Sequence, residues 1–489
     1  MARGAAWMVL FRLFDRSVGI VSTTVLARLL VPADFGLVAM AMSVIAIIEL
    51  ATAFSFEVAL IQKNDPQREH FDTAWTLNVL VALAGAAVTA ALAHPAAAFY
   101  GDPRLVPVMF AIGGAWLITG FENVGTVNFR REMNFSAEFR WMASKRVIAF
   151  VVTLIAAFTF RSYWALVIGT ATGRFAGVVL SYVMHPYRPR LALSRARELF
   201  SFSGWLLVNN LAGVLFGRLP HFFVGRVFGA QQLGAYTVGS EIAQLAHTEL
   251  VAPINRAMFP GYARLVDDPP AFRRVCVDAT AAILLVVLPV SAAVAVLAAP
   301  MVRVLLGAQW QHAVPIIQIL AFAGALTALI SNNVSAYLAL GRPHLATLIF
   351  VARVVVFVVA IALLGSSHGA TGVAYAELLA TSCSLVVSLP ILFGALGLRV
   401  KDYVAIMWRP LIASAAGYAA VRQLLLRLGS EGTFGEAALQ LLAGTVGGAV
   451  VYLVSLWLLW IAAGRPATVE PMIASRAIGA LSGWRSRSA

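Results

Sequence analysis

Apolar runs of roughly 18 to 25 residues, each able to cross about 30 Å of hydrocarbon as a helix, recur from one end of the chain to the other. About fourteen are expected, near residues 8–27, 37–61, 73–99, 105–128, 144–160, 163–184, 200–226, 231–260, 277–299, 313–338, 345–364, 369–397, 404–426 and 437–462. Pro220, Pro253 and Pro289 fall inside these runs, where proline kinks a membrane helix without ending it. The pattern is broken most sharply in the first run, by Arg12, Asp15 and Arg16. A charge at the middle of a membrane helix costs roughly 2.5 to 3.5 kcal/mol, so such side chains turn toward a bundle interior or a wet cavity. Arg12 and Arg16 share a face four residues apart, with Asp15 within reach of Arg12, while Leu10, Phe14, Val18, Val21 and Val25 form the apolar side. This helix is therefore expected to line a cationic cavity.

The fold class that follows is all-α, a polytopic membrane protein. Composition agrees, since 61% of the 489 residues are hydrophobic and 12% charged, against about a quarter charged in soluble domains. The formal charge of +14 raises nucleic acid as a partner, but its placement speaks for topology instead. Lys and Arg concentrate in loops after even-numbered spans, among them Arg130, Arg131, Lys145, Arg146, Arg188, Arg190, Arg195, Arg197, Arg273 and Arg274. By the positive-inside rule both termini and those loops are expected in the cytoplasm, facing anionic lipid headgroups. The two cysteines, Cys276 and Cys383, offer neither a disulfide framework nor a thiolate metal site. The first run is read as an uncleaved helix, because its charges interrupt what a secretory signal keeps apolar.

Two echoes point to duplication. Displacing Ala27–Gly36 by 198 residues gives Gly225–Gly234, matching Arg28 with Arg226 and Gly36 with Gly234. Displacing Lys145–Phe150 by 207 gives Ala352–Phe357, matching Arg146 with Arg353. Nearly equal offsets imply two six-helix lobes, and an even number of spans per lobe relates them by a parallel pseudo-two-fold axis along the membrane normal. The expected organisation is an amino-terminal lobe over 1–190 (spans 1–6), a carboxy-terminal lobe over 191–400 (spans 7–12), and spans 13–14 with a basic tail over 401–489. The Pro- and Arg-rich stretch His185–Arg197 is the expected cytoplasmic linker, and the tail after Gly464 is expected to lie on the membrane surface.

Four segments carry a resemblance: Thr24-Val-Leu-Ala-Arg-Leu-Leu-Val-Pro-Ala-Asp-Phe-Gly-Leu37, Phe56-Glu-Val-Ala-Leu-Ile-Gln62, Val127-Asn-Phe-Arg-Arg-Glu-Met133 and Ala252-Pro-Ile-Asn-Arg-Ala-Met-Phe-Pro260. They resemble the bacterial polysaccharide transporters of the multidrug/oligosaccharidyl-lipid/polysaccharide superfamily, in particular the lipopolysaccharide and exopolysaccharide flippases of Wzx and WzxC type. The resemblance implies movement of undecaprenyl-diphosphate-linked oligosaccharide from the cytoplasmic to the periplasmic leaflet of the bacterial inner membrane, by alternating access. It also implies a lipid-linked oligosaccharide as partner, with polysaccharide polymerase or export proteins nearby.

A diphosphate carries about two negative charges, which Arg forks bind better than Lys. Arg12, Arg16 and Arg218 are the foremost substrate-binding candidates, since spans one and seven are equivalent in the repeat; Arg256 on the eighth span joins them, with Arg174 and Arg353 ranked lower. Asp15 and Glu49 are the candidates for ion coupling, because a buried carboxylate can exchange a proton or hold sodium with carbonyl help. The eight histidines show no metal-ligand spacing, and no nucleophile–base set can be assembled, so neither a cofactor nor catalytic chemistry is expected. A multidrug exporter of organic cations is the alternative, which would favour an acidic aromatic cavity; a membrane glycosyltransferase or ligase would need a larger outer loop than any here.

Overall fold

The computed structural model describes residues 2–51, 56–63, 65–429 and 433–465; the side chains of 199–216 and the basic tail beyond 465 lie outside that description. Every regular element among the described residues is helical: α1 (Ala2–Leu29), α2 (Pro32–Ala51), α3 (Phe56–Gln62), α4 (Arg68–Tyr100), α5 (Leu105–Thr119), α6 (Val127–Arg131), α7 (Phe135–Phe160), α8 (Trp164–Met184), α9 (Ala196–Ala243), α10 (Ala252–Arg264), α11 (Pro269–Val296), α12 (Ala298–Leu305), α13 (Ala313–Ala339), α14 (Pro343–Leu396), α15 (Val400–Leu428) and α16 (Phe434–Ala462). Each of the fourteen expected runs overlaps helix, although 37–61 covers both α2 and α3 and 105–128 bends after α5. Ten described helices are long and apolar enough to cross a membrane, eleven if α5 and α6 form one span bent by 65°. The helix α1 is not among them, because every 18-residue stretch of it holds three or more charged side chains.

Local chemistry sets the helix ends. Pro32 opens α2 with its φ already helical, and the Asp34 carboxylate accepts from the Val31 N–H at 3.1 Å and from the Tyr163 N–H at 3.0 Å, tying the start of α2 to the start of α8. Thr433 and Glu436 cap α16 reciprocally, at 3.3 and 2.9 Å. The helix α9 runs through Pro220 but breaks at Gly229, whose φ of 77° favours glycine, and α14 breaks at Gly369 with φ of 60°. A π-helical turn at His247–Val251 precedes Pro253, and α11 passes Pro289 uninterrupted.

The chain divides into two units, residues 1–237 with 305–309, and residues 238–304 with 310–489. In the first, α7 and α8 form one hairpin and α4 and α5 another, with α1 on α7 and α2 against α4, α5 and α8. Trp7, Phe11 and Phe14 of α1 surround Phe139 of α7, with ring centres 5.1, 6.2 and 6.3 Å apart. Thus Phe14 faces protein, while Leu10, Leu13, Ile20 and Val21 form the outward stripe. The His185–Arg195 stretch is strapped to α4: the Tyr187 hydroxyl and the Arg190 N–H donate to Asp72 at 2.6 and 2.9 Å, and the Ala192 N–H donates to Thr76 at 3.0 Å. Burial, together with the Asp72 carboxylate, holds the Tyr187 hydroxyl above its ordinary pKa.

In the second unit α11 lies between α13 and α15, α14 packs on α13, and α16 packs on α15. Its core gathers Tyr262, Phe272, Tyr337, Leu392 and Tyr403. A polar chain runs through it: Tyr262 donates to Asn332 at 2.9 Å, which donates to Thr280 at 3.0 Å, and Asn255 donates to Ser331 at 2.7 Å.

Asn123, between α5 and α6, donates its backbone N–H to the Ser181 hydroxyl of α8 at 2.9 Å, and the Asn333 side chain of α13 donates to Ser388 of α14 at 3.1 Å, positions displaced by nearly the same interval as the sequence echoes. Gly36 and Gly234 make a reciprocal contact within the first unit. A Cβ on Gly36 would lie 1.7 Å from the Ala230 carbonyl oxygen, and one on Gly234 would lie 1.8 Å from the Pro32 carbonyl oxygen. Residues 32 and 230 differ by the same 198 positions as the two glycines, so two equivalent helix starts cross where only glycine fits.

Candidate functional site

The charged residues of the first run sit among those of α7 and α8. Asp15 pairs with Arg146 of α7 at 2.9 Å. The reason is packing: the Trp7–Phe14 face of α1 seats on Phe139, and two turns along α7 that register brings Arg146 over Gly19 and beside Asp15. Arg12 and Arg16 are half-buried on the same helix. Glu49, near the end of α2, accepts from Arg174 of α8 at 2.8 Å. Arg130 links Glu138, which is buried, at 2.5 Å, and Glu57 at 3.6 Å. Lys145 lies over the Trp141 ring at 4.1 Å, and Trp141 donates to the Gly177 carbonyl at 3.2 Å.

The pairs Asp15–Arg146 and Glu49–Arg174, with Arg12 and Arg16 of α1, Lys145 of α7 and Glu122 of the α5–α6 bend, amount to five cations and three carboxylates. Paired charges in a partly dry bundle hold each other in place, and an excess of one sign leaves a field that an anion can enter. A cavity of about 310 Å³ opens beside this cluster, bounded by α2, α4, α5 and the α5–α6 bend.

Arg218 is half-buried on α9 beside His221, whose ring meets Tyr236 edge-on at 5.7 Å. Arg256 is exposed on α10 in the second unit. There Arg353, displaced by 207 from Arg146, approaches Glu377 at 3.7 Å across the two arms of α14. Each unit therefore keeps an arginine at the repeated position, with its carboxylate supplied by a different helix. Arg409 of α15, 2% exposed and flanked by Trp408 and Pro410, escaped sequence reasoning. Also missed was an apolar cleft of about 400 Å³ between α11, α15 and α16, floored by Gly417 and Gly448 and crossed by the Tyr452 hydroxyl donating to the Leu285 carbonyl at 2.8 Å. Among the described residues no cluster of three His, Cys, Asp or Glu side chains could hold a metal ion.

Comparison with known proteins adds three findings. The family model described as polysaccharide biosynthesis protein matches residues 25–315. The chain is 22% identical over 420 residues to the lipopolysaccharide biosynthesis protein WzxC of Escherichia coli (strain K12), covering 84% of this chain and 85% of that protein. It is 24% identical over 465 residues to the succinoglycan biosynthesis transport protein ExoT of Rhizobium meliloti (strain 1021), covering 93% and 92%. Its fold is similar to that of the lipid II flippase MurJ in an inward closed conformation, with a TM-score of 0.72 at 15% identity over 94% of this chain and 100% of that one.

Proposed function

Because this chain belongs to the polysaccharide biosynthesis protein family, as a polysaccharide transporter of the superfamily its four sequence segments resemble, we propose that it flips a repeat unit carried on undecaprenyl diphosphate. Movement runs from the cytoplasmic to the periplasmic leaflet of the bacterial inner membrane, with both termini in the cytoplasm, as the basic loops favour. The observation that supports this reading is the excess of cations over carboxylates in the charged cluster of α1, α2, α7, α8 and the α5–α6 bend. A diphosphate entering there meets guanidinium groups already oriented by Asp15 and Glu49, which hold Arg146 and Arg174. Arg12 and Arg16 take the diphosphate oxygens, and Arg218 of the same unit completes the set. As the anion displaces a carboxylate from its arginine, Asp15 or Glu49 is left to take up a proton or a sodium ion, which couples the step to an ion gradient.

The lipid chain needs an apolar path of its own. The cleft between α11, α15 and α16, with its small-residue floor, supports a resting place for part of the polyprenyl chain. Release on the far side requires the Gly36–Gly234 contact to part, the motion of alternating access. No bond is made or broken in this cycle, so the chain acts as a carrier that hands its cargo to polymerase or export proteins. An organic-cation exporter is disfavoured because the charged cluster of α1, α2, α7 and α8 has a surplus of cations. Arg16→Ala and Arg218→Ala are expected to abolish polymer export in cells deleted for the chain's gene, with membrane insertion unchanged on fractionation. Normal export by both variants refutes the reading.

A further inference from the structure

The cavity of about 310 Å³ in the first unit differs in chemistry from the cationic cluster beside it. Its wall combines the carboxylates of Glu49, Glu57 and Glu122 with Asn78, Thr119 and the indole of Trp116. The indole is fixed in place, since it packs against Gly85 so closely that a Cβ there would lie 2.1 Å from it. Two of the carboxylates have an arginine within 4 Å, Glu49 with Arg174 at 2.8 Å and Glu57 with Arg130, which it shares with Glu138, at 3.6 Å. The third, Glu122, lies in the bend between α5 and α6, and its carboxylate makes no hydrogen bond or ion pair within 4 Å among the described residues; Lys145 and Arg130 are the cations that act on it.

This mixture narrows the ligand. The acidic groups do not converge as metal ligands do, and with two of three carboxylates paired the site has little surplus charge for an organic cation. What remains is a set of fixed acceptors, amide and hydroxyl groups of both polarities, and one flat apolar face. Vicinal hydroxyls donate to carboxylates, and the C–H face of a pyranose lies on an indole. A volume near the lower end of small-ligand sites, roughly 300 to 1,000 Å³, has room for a single sugar ring with some water.

We infer that this cavity is a sugar subsite, with Glu122 accepting from ring hydroxyls and Trp116 stacking on the pyranose attached to the diphosphate. It rests on the flippase reading and adds to it a second recognition element for the sugar itself. Cargo is then selected twice, by diphosphate on the arginines and by its first sugar in the neighbouring cavity.

The test compares binding of two probes to the full chain in lipid nanodiscs: sugar-free undecaprenyl diphosphate, and undecaprenyl diphosphate bearing a single hexose, taken across glucose, galactose and mannose. The wild type is expected to prefer at least one hexose-bearing lipid over the sugar-free one. A hydrogen bond to a charged acceptor is worth enough that Glu122→Gln should shrink this preference by about 10- to 100-fold. Trp116→Ala should do likewise, whereas Trp116→Phe, which keeps an aromatic face, should retain most of it. Arg16→Ala should weaken both probes alike. If Glu122→Gln and Trp116→Ala keep the wild-type preference, or if the wild type binds both probes equally, the subsite is wrong while the flippase reading stands. If the wild type binds neither lipid, the flippase reading falls and the subsite with it.

Discussion

Replacing Gly36 by alanine is expected to force two helix starts apart. The new Cβ would lie 1.7 Å from the Ala230 carbonyl oxygen, where carbon and oxygen normally keep about 3.3 Å, so the backbones must separate by about 1.6 Å. No flexible side chain can yield, because the obstructing atoms belong to the main chain. Overpacking of this kind costs about 1 to 3 kcal/mol, enough to lower the population of the arrangement that needs the contact by about 5- to 150-fold. Gly234→Ala meets the Pro32 carbonyl oxygen at 1.8 Å and should act alike. One separation relieves both clashes, so the double variant should cost clearly less than the sum of the singles. The assay is a pulsed electron–electron distance measurement between spin labels at Val31 and Val227, both about half exposed, in a chain whose Cys276 and Cys383 are replaced by alanine. Gly36→Ala is expected to shift the distribution to longer distances and to slow transport. An unchanged distribution with normal transport would refute the role given to the glycine contact.

Arg146→Ala removes the 2.9 Å partner of Asp15, and because both side chains are 40% or more exposed, thermal stability should fall by only about 1 kcal/mol or less while polymer export is lost. Adding Asp15→Ala should recover the stability without the export. Asn123→Ala removes donors to the Tyr187 carbonyl at 2.8 Å and the His185 carbonyl at 3.2 Å, at a cost of about 1 to 3 kcal/mol, and should open the strap to trypsin at Arg190 in inside-out vesicles. In the α4–α5 loop the hydrogen bond from Arg104 holds the Asp102 carboxyl below its ordinary pKa, so its stabilising contribution is complete above about pH 4 and disappears as pH falls through the depressed folded value. Asp102→Asn should flatten that part of the melting-temperature profile, and an identical acid slope in both proteins would count against the pair.

Helix positions were legible because apolar length alone marks a membrane span, and each expected run overlaps helix. The echo of Gly36 in Gly234 was legible as well, though not its meaning: sequence displays two equivalent glycines, and only packing reveals that each faces the other's helix start. The face of α1 bearing Asp15 followed from periodicity, but its pairing with Arg146 did not, since that depends on how Phe139 registers with Trp7 and Phe14. Glu49 and Arg174 stand 125 positions apart and share no local signal. Asn123 reads as a loop residue, yet it is fully buried and joins α5–α6 to α8 and the strap, because a bent span leaves backbone groups that a side-chain amide must satisfy. The wall of the candidate sugar cavity is drawn from residues 49 to 126 with no spacing in common, so no motif could have announced it.

The central claim is tested most directly by reconstituting the purified chain in liposomes that carry a fluorescent undecaprenyl-diphosphate-linked oligosaccharide, and following its access to an impermeant quencher. The account predicts transfer between leaflets well above that of protein-free liposomes, lost with Arg16→Ala. Transfer no faster than in protein-free liposomes, or undiminished in the variant, would contradict it.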